Sequence, residues 1–219
     1  MVSDIGYALN GGAYLILLLL LFTVRKSGLA KHLLVLASLT TMLWSFGHVT
    51  LLTGDLSVDY IVSADVVKQF VWLLFIAGCL QQNFTDLWQV IRRPATLFIL
   101  SVPTATFVLP HFFYISGTWL YLMHTVLALE VLILLEVVYR QAGEQKWAIK
   151  PLVLYLGATN LLDFVTYANA TMVNSVEPAY VAARGYVYLF LLPLLVIAIR
   201  RISHWGIDIF ISRDVVLHS

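Results

Sequence analysis

The sequence predicts an all-α polytopic membrane protein with seven transmembrane helices, the N-terminus outside and the C-terminus in the cytoplasm. Composition is the first reason: 61% of the 219 residues are hydrophobic and 11% are charged, whereas soluble domains carry about 25% charged residues. The mean hydropathy of +0.89 agrees. A net charge of +1 and a single cysteine, Cys79, argue against a nucleic-acid binder and a disulfide scaffold.

The second reason is the number of apolar stretches. A bilayer core of about 30 Å needs roughly 20 residues of helix. Seven stretches reach that length: Ile5–Val24, His32–Thr53, Ile61–Leu80, Pro94–Tyr114, Thr118–Tyr139, Pro151–Met172 and Ala179–Ile199. The connections are too short for a soluble domain. We therefore predict one seven-helix transmembrane domain over residues 1–201 and a cytoplasmic juxtamembrane tail over 202–219.

The third reason concerns orientation and comes from the basic residues. Eleven of the thirteen Lys and Arg residues fall in alternate connections or in the tail. By the positive-inside rule this side is cytoplasmic. The first span lacks a basic leader and a small-residue cleavage site, so it is predicted to be a retained helix. The eleven residues are Arg25, Lys26, Lys31, Arg92, Arg93, Arg140, Lys146, Lys150, Arg200, Arg201 and Arg213.

Several ionisable side chains lie inside the predicted spans, where they are costly and normally face the bundle interior with a partner. At about 1.5 Å per residue along each helix, they gather in the outer half of the bundle. Such a polar pocket suits a receptor for a small amphiphile, and it equally suits a proton or ion pathway. The predicted pocket residues are Asp163, Arg184, Glu130, Lys68, Asp65, Tyr167, His48, His124, Asn160 and Tyr188.

Helix depth also predicts which charges pair. Asp163 on the sixth span and Arg184 on the seventh differ in depth by roughly 5 Å, a gap that a guanidinium group bridges. We predict an ion pair between Arg184 and Asp163. We also predict that Lys68 pairs with Asp65, with Glu130 or with both.

Simpler interpretations exist for some of these residues. Asp65 and Lys68, three positions apart, are compatible with an intrahelical ion pair near the surface, and Arg184 with a side chain that extends outward to the membrane boundary. Glu136 and Arg140 lie four positions apart and are most simply an interfacial salt bridge.

Motifs for catalysis and for metal or cofactor binding are not visible in the sequence. There is no paired Cys/His spacing, nucleophile elbow, phosphate loop or dinucleotide-binding glycine motif. A retinal pigment would need a lysine on the seventh span, and the one lysine inside a predicted span is Lys68 on the third. We therefore predict no catalytic residue, no cofactor and no bound metal.

The stretch ARGYVYLFLLPLLVIAIRRISHWGIDIFISRDVVLHS at the end of the chain resembles the end of the sensor region of PEP-CTERM-system sensor histidine kinases of the PrsK type. Three other stretches, YLILLLLLFTVRKSGLAKHLLVLASLTTMLWS, LLEVVYRQAGEQKWAIK and LLDFVTYANA, are similar to the same membrane region. The resemblance covers essentially the whole chain and is loosest between Gly54 and Gly117.

The resemblance implies a multi-pass protein in the inner membrane of Gram-negative, exopolysaccharide-producing bacteria. Members of that family continue with further hydrophobic segments, a GAF-like domain and a kinase core that acts on a response regulator. This chain has no phosphoacceptor-histidine box and no ATP-binding boxes, so any kinase activity belongs to the parent protein. A homodimer is expected by analogy with histidine kinases. The other expected partners are membrane lipid and a small or lipid-like ligand, and no nucleic acid is expected.

The resemblance and the polar pocket together imply that residues 1–201 are a transmembrane sensor domain of a two-component histidine kinase and that the tail leads to output domains not contained in this chain. We expect this sensor to detect a periplasmic or membrane-borne ligand in the outer-half pocket and to transmit the signal through the seventh helix. An alternative is a small transporter or proton carrier that uses Glu130, Asp163 and Lys68. A third is a structural anchor that dimerises a partner. The residues predicted to carry the output signal are Arg200, Arg201, Trp205, Ser212 and Arg213.

Overall fold

The computed structural model of the protein describes residues 2–23, 28–50, 57–79 and 87–202. Helices account for 91% of these residues, and no strand occurs among them. Seven of the helices are long and apolar enough to cross a membrane. The seven-helix prediction is therefore confirmed, and the chain has the make-up of a multi-pass membrane protein.

The long helices overlap the seven predicted spans. A short helix, Leu87–Ile91, and a 3-10 turn, Gly143–Gln145, lie in the connections. The long helices are α1 (Val2–Thr23), α2 (Leu29–Gly47), α3 (Val58–Cys79), α4 (Pro94–Phe112), α5 (Gly117–Gln141), α6 (Lys146–Val173) and α7 (Pro178–Arg201).

Two helix ends differ clearly from the predicted spans. α2 ends at Gly47 rather than Thr53, because the backbone N–H of His48 already bonds to the Ser45 carbonyl oxygen at 3.1 Å in a tighter turn. α6 begins at Lys146 rather than Pro151. Lys146 and Lys150 interrupt the apolar residues of its first turn, so a search for an uncharged apolar stretch places the start too late.

Each long helix packs on the next one in sequence, and α7 returns to pack on α1. α3 also contacts α5 and is the most enclosed helix: 72% of its span is buried, against 28% of the span of α4. α3 is therefore the central helix of the bundle, and α4 has the most exposed flank.

Contacts between helix ends show which ends lie together. The Tyr7 hydroxyl, near the start of α1, donates to the Val181 carbonyl at the start of α7 (2.6 Å). The Thr118 hydroxyl, at the start of α5, donates to Asn174 beyond the end of α6 (3.0 Å). We call this end, which holds the chain's N-terminus, the N-terminal end. The opposite end holds the described basic residues of the connections: Lys31, Arg92, Arg93, Arg140, Lys146, Lys150, Arg200 and Arg201.

A glycine allows α1 and α7 to approach closely beside the ionisable groups. A Cβ atom on Gly185 would lie 2.8 Å from the Tyr7 backbone nitrogen and 2.9 Å from the Gly6 carbonyl carbon. In the other direction, a Cβ on Gly6 would lie 2.7 Å from the ring of Tyr186. Small residues permit such backbone contact between helices in a membrane. The contact holds the residue before Gly185, which is Arg184, against the bundle interior.

Candidate functional site

Two carboxylates and two cations meet in the bundle interior between α3, α6 and α7. The Arg184 guanidinium lies 2.6 Å (Nη2) from Asp65 Oδ2 and 2.9 Å (Nε) from Asp163 Oδ1. Lys68 Nζ lies 3.3 Å from Asp163 Oδ2. All four side chains are at most 1% exposed. We call Asp65, Lys68, Asp163 and Arg184 the charge network; its formal charges cancel, as burial inside a membrane protein requires.

The Arg184–Asp163 pair is present, as the sequence predicts, but the predicted partner of Lys68 is wrong. Lys68 pairs with Asp163 and not with Asp65 or Glu130. The reason is that Asp65 is already surrounded by other donors. Among the described residues Asp65 and Lys68 make no ion pair with each other, and Arg184, which is 0% exposed, does not extend to the membrane boundary.

Asp65 receives hydrogen bonds from three helices. Trp44 Nε1 on α2 donates to Oδ1 at 2.6 Å, and Arg184 Nη2 on α7 donates to Oδ2 at 2.6 Å. The Tyr167 hydroxyl on α6 also donates to Oδ2. Hydrogen bonds to an ionised group are among the stronger ones in proteins. The carboxylate of α3 therefore holds α2, α6 and α7 around itself.

Asp163 is satisfied in the same way from two helices. Its Oδ2 atom accepts hydrogen bonds from Lys68 Nζ (3.3 Å), Gln69 Nε2 (3.2 Å) and the Tyr188 hydroxyl (3.2 Å). Gln69 also donates to the side-chain oxygen of Asn160 at 3.3 Å. The Oδ1 atom of Asp163 lies near Arg184 Nε without hydrogen-bond geometry, so this contact is electrostatic.

Aromatic rings complete the surroundings of the two cations. Lys68 Nζ lies 4.0 Å from the centre of the Trp44 ring and 4.4 Å from that of Tyr188. The Arg184 guanidinium carbon lies 5.1 Å from the centre of the Trp44 ring. Aromatic faces attract cations most strongly when water is excluded. Trp44 therefore acts on both signs of charge, because its N–H binds a carboxylate while its ring faces the cations.

The two predicted histidines reach the charge network through aromatic rings. His48 is 2% exposed and lies 4.9 Å from the ring of Trp44. His124, also 2% exposed, lies 4.6 Å from the ring of Tyr167. In the part of the chain that the structure describes, His48 Nε2 and Arg184 Nη1 have no hydrogen-bond partner. The site therefore retains hydrogen-bonding capacity beside the network.

Glu130 is not part of this arrangement. Its side chain is partly buried on α5 and makes no hydrogen bond to any member of the charge network. The estimated depth of Glu130 along its helix predicted that it would join the other ionisable groups. In the structure its side chain does not contact the charge network. Conversely, sequence reasoning did not assign Trp44 and Gln69 to the site. Gln69 lies four positions after Asp65 on the same helix face, and this spacing was the available signal.

The predicted output residues are only partly described. Arg200 and Arg201 form the exposed end of α7, and the Arg201 guanidinium lies 4.9 Å from the Trp147 ring at the start of α6. Trp205, Ser212 and Arg213 lie outside the described residues.

The salt bridge predicted between Glu136 and Arg140 on α5 is present. Arg140 Nη2 lies 2.6 Å from Glu136 Oε1, with the two side chains 77% and 62% exposed.

Cavities lie beside the charge network, along the described parts of α3 and α4. Three of them, of about 260, 330 and 460 Å³, are lined by α3 and α4, and the smallest also by α5. His124 is the one predicted pocket residue among their lining residues. No group of three or more His, Cys, Asp or Glu side chains able to hold a metal ion occurs among residues 2–23, 28–50, 57–79 and 87–202.

Comparison of the chain with protein-family models, with curated proteins and with solved structures gave no match.

Proposed function

We propose that the chain is the transmembrane signal-sensing module of a two-component sensor histidine kinase. A periplasmic or membrane-borne ligand would change the pairing in the charge network, and α7 would carry that change to the output domains. One observation carries the proposal. Arg184 contacts carboxylates on α3 and α6 at once, from a helix that runs on to Arg200 and Arg201 at the opposite end of the bundle.

A buried set of paired charges suits a switch because it has few low-energy arrangements. Each cation must keep a carboxylate partner, since an unpaired charge in the membrane interior is strongly unfavourable. Asp163 is shared between Lys68 and Arg184, so a ligand group that takes over either partner forces the other contacts to rearrange. Such a ligand shifts the equilibrium only by its preference for one arrangement.

The geometry of α7 supports transmission across the membrane. The helix continues from Arg184 to Arg201, which is about 26 Å at 1.5 Å per residue. Shifts of 1–2 Å in packed helices are a common means of signalling. A displacement at Arg184 would therefore appear as a displacement of the Arg201–Trp147 contact.

Orientation and location are part of the same proposal. The described basic residues of the connections lie at the end of the bundle opposite the N-terminus, and the positive-inside rule would place that end in the cytoplasm. A bacterial inner membrane, a homodimeric parent kinase and a response regulator as its partner follow from the resemblance to the kinase family. In that orientation the charge network lies in the outer half of the membrane.

A transporter receives less support from the geometry. A relay through Glu130, Asp163 and Lys68 needs a chain of contacts. Lys68 and Asp163 are 3.3 Å apart, but in the described part of the chain Glu130 makes no hydrogen bond to either.

The movement of α7 can be measured on this chain directly. In a Cys79→Ser background, spin labels at positions 144 and 200 report the distance between the α5–α6 connection and the end of α7. We expect Arg184→Gln and Asp163→Asn to shift or broaden this distance distribution, because each leaves an unpaired charge that the helices move to accommodate. Arg93→Gln, an exposed change, is the control and should leave the distribution unaltered. Unchanged distances in both network variants would contradict transmission through α7.

The kinase assignment has a separate test. An antibody raised against residues 143–150, which are the 3-10 turn and the start of α6, should detect in the source cells a polypeptide several times heavier than the 24.6 kDa of this chain. A band at 24.6 kDa would refute the kinase, and flux measurements in reconstituted vesicles would then test the transporter.

A further inference from the structure

A groove follows α3 and α4 from the N-terminal end of the bundle past its middle. It consists of the three cavities of about 260, 330 and 460 Å³. The first and second share Val66 and Phe107 as lining residues, and the second and third share Phe70, Thr104 and Val108. The cavities therefore adjoin one another, and we call them together the α3–α4 groove.

The cavity at the N-terminal end of this groove has a polar wall of hydrogen-bond acceptors. Asp59 and Ser63 on α3 and His111 on α4 line it. His111 Nδ1 lies 2.7 Å from the Phe107 carbonyl oxygen, so this nitrogen carries the ring proton and Nε2 is left as an acceptor in the neutral ring. Asp59 and His111 are exposed, and within the described residues the Asp59 carboxylate, the Ser63 hydroxyl and His111 Nε2 form no hydrogen bond. None of the described residues that line the cavity is a Lys or an Arg.

The remainder of the groove is apolar. Val66, Phe70 and Val71 of α3 face Pro103 and Val108 of α4. The Thr104 hydroxyl is bound to the Leu100 carbonyl at 2.6 Å, so it offers little polarity to the groove.

The groove is also open along the exposed flank of α4. From Leu97 to Leu109 this flank is about 18 Å long at 1.5 Å per residue. Leu97 is 53% exposed and Val108 is 38% exposed. The groove is therefore accessible from the space that lipid would occupy around a membrane-embedded bundle.

We infer that the α3–α4 groove binds a membrane lipid with a primary-ammonium head group. The ammonium group would lie at Asp59, Ser63 and His111, and an acyl chain would follow the apolar part along α4. An ammonium group offers up to three N–H donors and a positive charge, which match three acceptors of which one is a carboxylate. The polar cavity at one end of the groove and the apolar remainder match the head group and an acyl chain of a lipid. The inference depends on the groove alone and not on the proposed sensor function.

One residue connects this groove with the charge network. His124 lines the polar cavity, its Nε2 atom lies 3.0 Å from the Val62 carbonyl oxygen, and its ring lies 4.6 Å from that of Tyr167. Tyr167 in turn donates to Asp65. Only His124 and Tyr167 would therefore lie between a lipid in the groove and the Asp65 carboxylate that Arg184 binds.

The test is lipid retention by the purified full chain. The protein is reconstituted in nanodiscs that contain equal parts of phosphatidylethanolamine, phosphatidylcholine and phosphatidylglycerol, and the retained lipids are counted by native mass spectrometry. Phosphatidylcholine keeps the positive charge but has no N–H donor, and phosphatidylglycerol has no cationic group. We expect phosphatidylethanolamine to be retained roughly tenfold over both, the effect of about one hydrogen bond to a charged group.

Three variants locate the binding. Asp59→Asn should abolish the preference for phosphatidylethanolamine. Glu177→Gln makes the same charge change at the same end of the bundle but before α7, and should preserve the preference. Val108→Trp fills the apolar part and should reduce retention of phosphatidylethanolamine while leaving the bundle folded, because this side chain is exposed.

Several outcomes would overturn the inference. They are equal retention of the three lipids, a preference for phosphatidylglycerol, and a preference for phosphatidylethanolamine that survives Asp59→Asn. The movement of α7 is measured separately by spin labels, so a failure of the sensor proposal and a failure of the lipid site are distinguishable.

Discussion

Arg184→Gln is expected to lower the free energy of unfolding by about 3–5 kcal/mol, the range for removing one partner from a buried ion pair. The substitution leaves one cation, Lys68, to balance the carboxylates of Asp65 and Asp163. All three side chains are at most 1% exposed. It also removes the hydrogen bond from Nη2 to Asp65 (2.6 Å). The measurement is reversible unfolding in mixed micelles, followed by helical circular dichroism.

The chain contains a matched control for this change. Arg140→Gln breaks an Arg–carboxylate pair with the same 2.6 Å separation, but its side chains are 77% and 62% exposed. An exposed pair of this kind contributes about 0.3–0.5 kcal/mol. Similar losses in Arg184→Gln and Arg140→Gln would show that burial of the charge network has no energetic consequence and would contradict the prediction.

A double variant distinguishes the free energy of the Asp65–Arg184 ion pair from the free energy lost by poorer packing. Asp65→Asn combined with Arg184→Gln restores equal numbers of buried anions and cations, Asp163 and Lys68. We expect the loss in the double variant to be smaller than the sum of the two single losses by about 0.5–3 kcal/mol, the usual range for residues in one network. Strict additivity would mean that Asp65 and Arg184 do not interact.

Gly185→Ala is expected to produce the second large effect, a loss of about 1–3 kcal/mol, as overpacking of a close contact does. The added Cβ would lie 2.8 Å from the backbone nitrogen of Tyr7 and 2.9 Å from the carbonyl carbon of Gly6. Backbone atoms cannot rotate away, so α1 and α7 must separate. The loss is measured by the same unfolding experiment, and cysteine cross-linking between the two helices reports their separation.

Gly157→Ala is the matched control, because a Cβ atom there meets nothing within 4 Å. Alanine favours helix over glycine, so this variant should keep or raise the free energy of unfolding by up to about 1 kcal/mol. A loss in Gly157→Ala equal to that in Gly185→Ala would assign both effects to the backbone and not to the contact between α1 and α7.

Much of the fold follows from composition along the chain. The seven apolar stretches correspond to the seven long helices, because length and hydropathy are local properties. The errors fall at helix boundaries, such as the end of α2 at Gly47 and the start of α6 at Lys146, because backbone hydrogen bonding and not hydropathy decides where a helix begins and ends. The charge asymmetry between the two ends of the bundle can also be predicted from the sequence, because the basic residues of the connections lie next to the hydrophobic stretches along the chain.

The membership of the charge network was also largely predictable. Depth along each helix places Asp65, Lys68, Asp163 and Arg184 at similar levels, and the cost of an unpaired charge in a membrane requires that they meet. Glu130 satisfies the same criterion and lies outside the network. Depth alone therefore does not distinguish a network member from a residue on another face.

The pairing itself was decided by the tertiary structure. Whether Lys68 meets Asp65 or Asp163 depends on how α3 is rotated about its axis and on which helices are its neighbours, and a single sequence contains neither quantity. In the folded bundle Trp44, Tyr167 and Arg184 surround Asp65, and Lys68 is directed to Asp163 on α6. Sequence determined the seven helices and the level of the buried charges, because hydropathy and rise per residue act along the chain. Packing across the bundle determined which charges pair. An ion pair between two helices depends on distances of a few ångströms perpendicular to the helix axes, and these distances depend on how the helices are arranged side by side.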